Sequence, residues 1–222
     1  MKLQILTATL LSAILFTACQ QKKLPYIGEP DIISKTVDGK QIEEVIYPTI
    51  PDFSFTNQDG EIVTGKAMDG KIYVADFFFT TCPTICPIMK KNMLDVYKKY
   101  KDNPDVSILS HSIDPDHDSV AILKKYADDL GVSGTKWQFV TGDREKIYDI
   151  GQKHYLVSAR EDPNEPGGYL HSGHFVLIDK NKHIRGMYDG TTEEGTKELI
   201  EDIEVLLKDE WWKNIGASYL LR

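Results

Sequence analysis

The chain has 222 residues, of which 41% are hydrophobic and 27% charged, a size and composition that suit one domain with a substantial core. Aromatic and β-branched residues recur along its length and glycine and proline are not enriched, which excludes a collagen, a coiled coil or a chain disordered throughout. Its 34 acidic residues outnumber its 26 basic ones and no basic stripe interrupts them, so a nucleic-acid-binding protein is not expected.

Residues 1–18 have the pattern of a secretory signal. A short charged start at Lys2 leads into a largely apolar run, 3–16, which is too short to span a bilayer comfortably. Two small residues and Cys19 follow, and 15–19 resembles a bacterial lipobox, in which cleavage leaves a lipid-modified cysteine at the new N-terminus. We therefore expect lipidation of Cys19 and a protein of the cell envelope, anchored in a membrane and facing the periplasm or the exterior. A plain signal peptide before a chance cysteine is the alternative.

Residues 19–50 are polar and rich in turn-forming residues, and the sequence predicts a flexible tether there, with one short strand near 42–46. The folded domain is predicted over 51–213 and a C-terminal tail over 214–222. The domain opens with a hairpin around 57–60, where Asn-Gln-Asp-Gly separates two short apolar stretches.

Strands and helices alternate through the middle of the predicted domain. Strands are predicted at 72–79, 106–113 and 137–140, and helices at 85–100, 119–130 and 144–154. A second hairpin, 175–178 with 184–188, and a long amphipathic helix, 193–212, complete the chain. This order predicts an α/β fold with a central mixed sheet and helices on both faces.

Cys82 and Cys86 lie where a buried strand gives way to a helix. Because a proline is tolerated in the first helical turn but not deeper, Pro87 predicts Thr84 as the N-cap and places Cys86 in the first turn. The amide groups and dipole of a helix start stabilise thiolates. The spacing permits a reversible disulfide, so the pair can be oxidised or can share a soft metal ion. The alternatives are two structural cysteines or a permanent disulfide. The position of the pair, in a loop at the end of a sheet strand, disfavours both.

Two thiolates leave most metal ions under-coordinated, so a third ligand is needed, and the chain has six histidines. Four of them are read as surface, turn or core residues: His154, His183, His117 and His111. His171 and His174 lie in a glycine-bearing loop directly before a strand, and such a loop can meet the cysteines at one edge of the sheet. Periodicity alone does not choose between these two.

Other polar and sulfur-bearing residues near these elements have structural explanations. Met89 and Met93 continue the helix face of Cys86, and thioethers can bind Cu(I), but both are interpreted as core residues. Asp114 and Asp118 flank the end of the second central strand, where turn formation and capping of the next helix, with Asp118 as its N-cap, account for them.

Three stretches of the sequence resemble the Sco/SenC family. Residues 79–87, Phe-Thr-Thr-Cys-Pro-Thr-Ile-Cys-Pro, resemble its Phe-Thr-x-Cys-x3-Cys-Pro signature. Residues 112–118 are similar to its Ser-Ile-Asp-Pro-x-x-Asp stretch, and 137–142 to its Trp-x3-Thr-Gly strand. The family's histidine precedes a hydrophobic strand at a fixed interval, which matches His171 rather than His174. The resemblance covers about residues 50–210, and the family's Asp-Gly in the last turn is replaced here by Asn181-Lys182.

The resemblance implies a thioredoxin-like fold and a membrane-tethered protein that helps to assemble cytochrome c oxidase, with the copper-bearing oxidase subunit as its partner. It also implies one copper ion per chain, Cu(I) or Cu(II), held by Cys82, Cys86 and His171. These soft to borderline donors suit both oxidation states of copper and leave a position open for transfer. A structural zinc ion would require a fourth protein ligand.

Two functions share these residues. One is a copper metallochaperone, which is not an enzyme, and the other is a thiol–disulfide oxidoreductase that reduces the cysteines of an oxidase subunit. His171 separates them, because a reductase can work without it. A thiol peroxidase on the same fold would carry a threonine three residues before its reactive cysteine, but positions 79 and 83 are phenylalanine and proline. A structural binding module would leave the cysteine loop unexplained.

Overall fold

The structure is a computed structural model that describes residues 22–219, with side chains described as far as residue 209. Residues 1–21, which include the predicted signal and Cys19, and residues 220–222 lie outside the described residues, and so do the side chains of residues 210–219.

Within the described residues the chain forms eleven strands and four α-helices. The strands are β1 (Asp31–Val37), β2 (Lys40–Ile46), β3 (Ser54–Asn57), β4 (Ile62–Thr64), β5 (Ile72–Phe78), β6 (Val106–Ser112), β7 (Trp137–Thr141), β8 (Ala159–Glu161), β9 (Tyr169–His171), β10 (His174–Ile178) and β11 (Ile184–Asp189). The helices are α1 (Cys86–Tyr100), α2 (Val120–Asp129), α3 (Arg144–Asp149), which continues as a π-helical turn (Ile150–His154), and α4 (Glu193–Tyr219).

Seven strands form the central sheet, in the order β11-β10-β5-β6-β7-β3-β4. The inner strands β5, β6 and β7 are parallel, and the remaining pairs are antiparallel. The predicted mixed sheet is therefore confirmed. In a parallel pair the carboxyl ends of both strands reach the same edge of the sheet, so the segments after β5 and β6 emerge side by side.

The central strand β5 is buried along its whole length, as its continuous apolar run predicts. Its residues alternate between the two faces. Phe77 packs with Tyr155, which follows the π-helical turn, and Phe78 packs with Tyr126 of α2 on the opposite face. Removing one such buried ring costs about 3–5 kcal/mol. Helices therefore cover both faces of the sheet and fix the position of its central strands.

Two of the four observed helix starts, those of α1 and α2, differ from the predicted ones by one residue. The N-cap of α1 is Ile85 rather than Thr84, although Pro87 lies in the first turn as predicted. The N-cap of α2 is Ser119 rather than Asp118, because the Asp118 carboxylate is engaged elsewhere. Asp143 is confirmed as the N-cap of α3, where its side chain accepts a hydrogen bond from the Lys146 amide.

The predicted tether contains more structure than one short strand. β1 and β2 form a hairpin whose turn, Asp38-Gly39, has positive φ at both residues. This is the Asp-Gly signature of a type I′ turn, which pairs the flanking β-branched segments. All fourteen strand residues of this hairpin are exposed.

The residues before the hairpin are joined to the domain instead of extending freely from it. Leu24 is buried, and the Ile27 amide donates to the carbonyl of Ile184 at 2.9 Å. The Arg185 side chain donates to the backbone carbonyls of Leu24 and Pro25. The segment therefore follows the edge strand β11, a long-range contact that local sequence patterns do not reveal.

Candidate metal centre

The two cysteines are positioned by the connection between β5 and α1. The Cys82 amide donates to the carbonyl of Phe79 at 3.2 Å, which turns the chain directly after the strand. Cys86 is the first residue of α1. Phe79 is buried and anchors the connection, so both sulfur atoms are held at the carboxyl end of the central strand.

His171 reaches the same edge from a small hairpin that the sequence did not predict. It is the last residue of β9 and pairs with Ala159 of β8. The ring of Phe79 meets its imidazole edge to face, with centroids 5.6 Å apart. The predicted glycine-bearing loop is thus partly a strand. The sequence did not predict this strand, because β8 and β9 have only three residues each and show no readable periodicity.

The three side chains form one compact group. The Nε2 atom of His171 lies 3.6 Å from the Sγ atom of Cys82 and 3.3 Å from the Sγ atom of Cys86, and all three ligand atoms are within 4.8 Å of one another. Each residue is less than a tenth exposed, and the cysteines are not joined by a disulfide. His174 is exposed and is not a member of this group.

The remaining sequence-predicted candidates lie elsewhere. Met89 and Met93 are buried in the core, as expected. His111 is also a core residue, with its ring stacked on Phe77 at a centroid distance of 4.7 Å. His183 is partly buried, and its Nδ1 atom lies 3.0 Å from the carbonyl oxygen of Pro48.

The two thiols differ in acidity. Burial alone would raise the pKa of Cys82, but hydrogen bonds from the backbone amides and the side chains of Thr84 and Cys86 together outweigh it and leave that pKa below its ordinary value. Burial raises the pKa of Cys86, and the neighbouring Cys82 raises it further. Burial also lowers the pKa of His171, so its imidazole is neutral near pH 7 and has a lone pair available.

The donor set can be compared with what metal ions require. Two sulfurs and one imidazole nitrogen suit copper, whereas a structural zinc site needs four protein ligands. Among the described residues, no fourth histidine, cysteine or carboxylate joins this group. The Nδ1 atom of His171 is buried without a hydrogen-bond partner, and its Nε2 atom is the one near the sulfurs. The residues present therefore fit a copper ion.

The group opens to solvent on one side. A cavity of about 140 Å³ is lined by Cys82, His171, Tyr169, Leu170, Ile85, Thr84, Glu165 and Pro166. Cys86 does not line it and lies behind the other two ligands. A larger cavity of about 410 Å³ borders β3 and α3, but neither cysteine lines that one. An incoming group can thus reach the three candidate ligands past Cys82 and His171.

The supporting roles of two residues, Tyr169 and Asp118, were not identified from the sequence. The Tyr169 hydroxyl donates to a carboxylate oxygen of Asp114 at 2.8 Å, joining β9 to the segment after β6. The Asp118 carboxylate contacts the loop that carries Cys82. The signal that could have indicated a role for Tyr169 is its spacing. It lies two residues before His171, so both side chains are on the same face of β9.

Comparison with known proteins gives a consistent result. A sequence model of the SCO1/SenC family matches residues 44–208. The SCO1 protein homolog of Bacillus subtilis (strain 168) is 33% identical over 168 residues, which are 75% of this chain and 86% of that protein. No helix among the described residues is long and apolar enough to cross a bilayer.

Solved structures are similar over most of the described chain. An SCO1/SenC family lipoprotein from Bacillus anthracis is 33% identical, with a TM-score of 0.66 over 72% of this chain and 95% of that one. BsSco, a Sco-family cytochrome c oxidase assembly protein with a disulfide switch, is 32% identical, with a TM-score of 0.63 over 71% and 92%. ScoI of Bradyrhizobium japonicum with copper bound is 25% identical, with a TM-score of 0.57 over 69% and 99%. These matches confirm the predicted thioredoxin-like α/β fold.

Proposed function

The chain belongs to the SCO1/SenC family, and on that premise we propose that it is a copper metallochaperone for the copper centre of cytochrome c oxidase. The observation that carries the proposal is the buried group of Cys82, Cys86 and His171, with all three ligand atoms within 4.8 Å. In this proposal copper is the cargo and the copper-bearing oxidase subunit receives it. A similar protein solved with copper bound supports the identity of the metal.

The geometry supports both holding and releasing copper. Three donors bind the ion without completing a four-coordinate site, so a ligand of the partner can be added before a ligand of this chain is lost. Cys82 and His171 line the open side of the site, whereas Cys86 lies behind them. A partner would therefore exchange ligands first with Cys82 or His171.

A second function, thiol–disulfide exchange, is favoured by the state of the cysteines. Cys82 and Cys86 are unpaired, face the same histidine nitrogen, and only Cys82 lines the opening. In this reaction the Cys82 thiolate attacks a disulfide of the oxidase subunit, and Cys86 then attacks the mixed disulfide. The partner gains two electrons and two protons, and the chain is left with a Cys82–Cys86 disulfide. That oxidised form cannot hold copper through the same sulfurs.

One transfer experiment tests both functions. The reduced chain, either loaded with one equivalent of Cu(I) or left copper-free, is mixed with the copper-free domain of the oxidase subunit, whose cysteines are either reduced or joined in a disulfide. Copper is then measured in each separated protein, and cysteine states are read by alkylation and mass spectrometry. We expect copper to appear on the reduced subunit while Cys82 and Cys86 remain thiols, and His171→Ala to lose this transfer while His174→Ala keeps it.

The other outcomes of this experiment are equally informative. Reduction of the oxidised subunit by the copper-free chain, with formation of the Cys82–Cys86 disulfide, would favour the reductase if the loaded chain transfers no copper. Transfer of neither copper nor electrons would refute both functions. In a separate titration, copper binding by the chain after oxidation to the disulfide, at the level of the reduced chain, would contradict the exclusion of copper from the oxidised pair.

We further propose that Cys19 is lipidated and anchors the protein in a membrane of the cell envelope, with the domain facing the periplasm or the exterior. The signal pattern of residues 1–18 supports this, as does the similarity to a lipoprotein of the same family. Because Leu24 and Ile27 are bound to the domain, only a few residues separate Cys19 from the fixed chain. The five residue steps from Cys19 to Leu24 span about 17 Å when extended, so the domain would lie close to the bilayer.

Replacing the predicted lipid acceptor tests the anchor. We expect Cys19→Ser to leave the protein either unprocessed or in the soluble fraction, because the lipid attachment is lost. Cell fractionation and the mass of the mature N-terminus measure this. Cys82→Ser is the matched control and should remain membrane-bound. Normal processing and membrane retention of Cys19→Ser would show that the lipoprotein proposal is wrong.

A further inference from the structure

Asp118 is a buried carboxylate whose role the sequence did not predict. Its side chain is completely buried, and Ser119, not Asp118, occupies the N-cap position of α2. Its oxygens accept hydrogen bonds from the Thr80 amide at 3.1 Å and from the Ser112 hydroxyl at 2.6 Å. The Thr80 hydroxyl also donates to it, and the Nδ1 atom of His117 lies 3.0 Å away. These partners satisfy a charge that would otherwise be costly to bury.

The partners of this carboxylate belong to different segments of the chain. Thr80 lies in the loop that carries Cys82, two residues before it, whereas Ser112 is the last residue of β6. The ladder between β5 and β6 pairs Phe78 with Ser112, and the Ile113 amide donates to the carbonyl of Phe78. Asp118 continues this connection past the end of both strands, where no backbone ladder can reach.

We propose that Asp118 is a positioning residue that holds the Cys82 loop in the geometry needed for copper, an inference that rests on the proposed copper-binding function. Its two hydrogen bonds with Thr80 fix the loop against the end of β6. The Cys82 sulfur is thereby kept within reach of Cys86 and His171. Hydrogen bonds to an ionised carboxylate are about twice as strong as neutral ones, so two of them are enough to hold a short loop in place.

The chain offers variants that separate this role from general support of the fold. Thr80→Val removes the hydroxyl bond on the loop side, and Thr80→Ser restores it. Ser112→Ala is the matched control, because it removes one hydrogen bond to the same carboxylate and leaves the loop contacts in place. Asp118 stays fixed in this variant by its own amide, which donates to the carbonyl of Asp114 at 2.8 Å. Asp118→Asn removes the charge and disturbs both sides.

The first measurement is copper binding by the reduced chain. Outer-shell partners of metal ligands typically contribute 10–100-fold to affinity. We expect Asp118→Asn to weaken Cu(I) binding about 10-fold or more and to change the thiolate-to-Cu(II) absorption band. Thr80→Val should weaken binding in the same direction, and Thr80→Ser and Ser112→Ala should bind like the wild type. Circular dichroism on each variant establishes that it is folded.

A second measurement needs no copper and therefore separates this inference from the proposed function. The rate of Cys82 alkylation in the copper-free reduced chain reports how well the loop is held, because Cys82 is only 7% exposed. We expect a several-fold faster reaction in Asp118→Asn and Thr80→Val but not in Thr80→Ser. If Asp118→Asn and Thr80→Val instead react at the rate of the wild type, the inference is overturned whether or not the chain carries copper. An effect of Ser112→Ala as large as that of Thr80→Val would also overturn it.

Discussion

At the residue scale, two buried titratable side chains lie on opposite faces of the central strands. Asp76 of β5 accepts a hydrogen bond from the Ser110 hydroxyl, which in turn accepts one from the Trp137 indole. Burial raises the pKa of Asp76 to about 7, and the hydrogen bond from Ser110 offsets part of that rise. Burial lowers the pKa of His111 to about 3 on the other face. Both groups are therefore favoured in their neutral forms.

These shifts predict a pH dependence of stability. Because the folded-state pKa of Asp76 lies above the unfolded value of 3.8, folding is weakened as the pH rises from about 4 to about 7. Asp76→Asn removes this titration. Its free energy of unfolding, relative to that of the wild type, should therefore increase between pH 4 and pH 8 by an amount of the order of a few kcal/mol. Urea unfolding of both proteins at these pH values measures the difference.

The His111 titration does not obscure this result. Its folded-state pKa lies below its unfolded value, so its stabilising effect is lost as the pH falls from about 6.5 towards 3, in both proteins alike. Ser110→Ala removes the hydrogen bond to Asp76, together with the one that Ser110 accepts from the Trp137 indole, and should increase the pH dependence. A constant stability difference between Asp76→Asn and the wild type at all pH values would contradict the assignment.

Much of the site was predictable at this scale. The Cys-x3-Cys spacing and Pro87 indicated a paired thiol site at a helix start, and the family resemblance selected His171. The role of Asp118 was not predictable, because an acidic residue directly before a helix has the signature of an N-cap. Its actual partners, Thr80 and Ser112, become neighbours only when β5 and β6 pair in parallel.

At the scale of elements, the β1–β2 hairpin is set apart from the rest of the domain. All its residues are exposed, including the apolar side chains of Ile32, Ile33, Val37, Ile42, Val45 and Ile46. Its strands are paired only with each other, so the central sheet does not depend on it. The metal-binding residues come from β9, α1 and the loop after β5.

We therefore expect the hairpin to be dispensable for copper binding. Replacing residues 31–46 by a short glycine–serine linker should leave copper stoichiometry unchanged and shift the unfolding temperature by only a few degrees. Ile108→Ala in β6 is the control, since removing such a buried side chain costs about 2–5 kcal/mol and should lower the unfolding temperature clearly. Loss of copper binding in the hairpin deletion would show that this element supports the site.

Elements with strong patterns were predicted well, and short ones were not. The apolar run of β5 and the periodicity of α1 and α4 placed them to within a few residues, apart from the longer extent of α4. β8 and β9 were missed because three residues cannot establish a period. β2 was predicted only in part, as a short strand near 42–46, and β1 was missed, although the Asp38-Gly39 turn between them carries a hairpin signature.

At the scale of the whole molecule, the N-terminal segment and the metal-binding group occupy opposite ends of the sheet. Ile27 contacts Ile184, and Ile50 contacts Lys182, near the turn between β10 and β11. That turn lies beside the amino end of β5, because Ile178 pairs with Tyr73. Cys82 and Cys86 follow the carboxyl end of β5. The segment that leads to the proposed anchor is thus joined to the domain away from the site that would meet a partner.

The central claim is that the reduced chain binds one copper ion through Cys82, Cys86 and His171. Copper titration of the reduced wild type, followed by Cu(II) absorbance and metal analysis, compares it with single variants of each ligand and with His174→Ala. We expect one copper per wild-type chain and loss of tight binding when either cysteine is replaced, since one thiolate and one imidazole make a weak soft site. His171→Ala should weaken Cu(II) binding more than Cu(I) binding.

The decisive comparison within this measurement is between the two neighbouring histidines. His174 is exposed and lies outside the ligand group, so His174→Ala should keep the wild-type Cu(II) absorbance while His171→Ala loses it. If the absorbance survives the loss of His171 and disappears with the loss of His174, the assigned ligand is wrong. If both variants bind copper like the wild type, the three-residue site itself is contradicted.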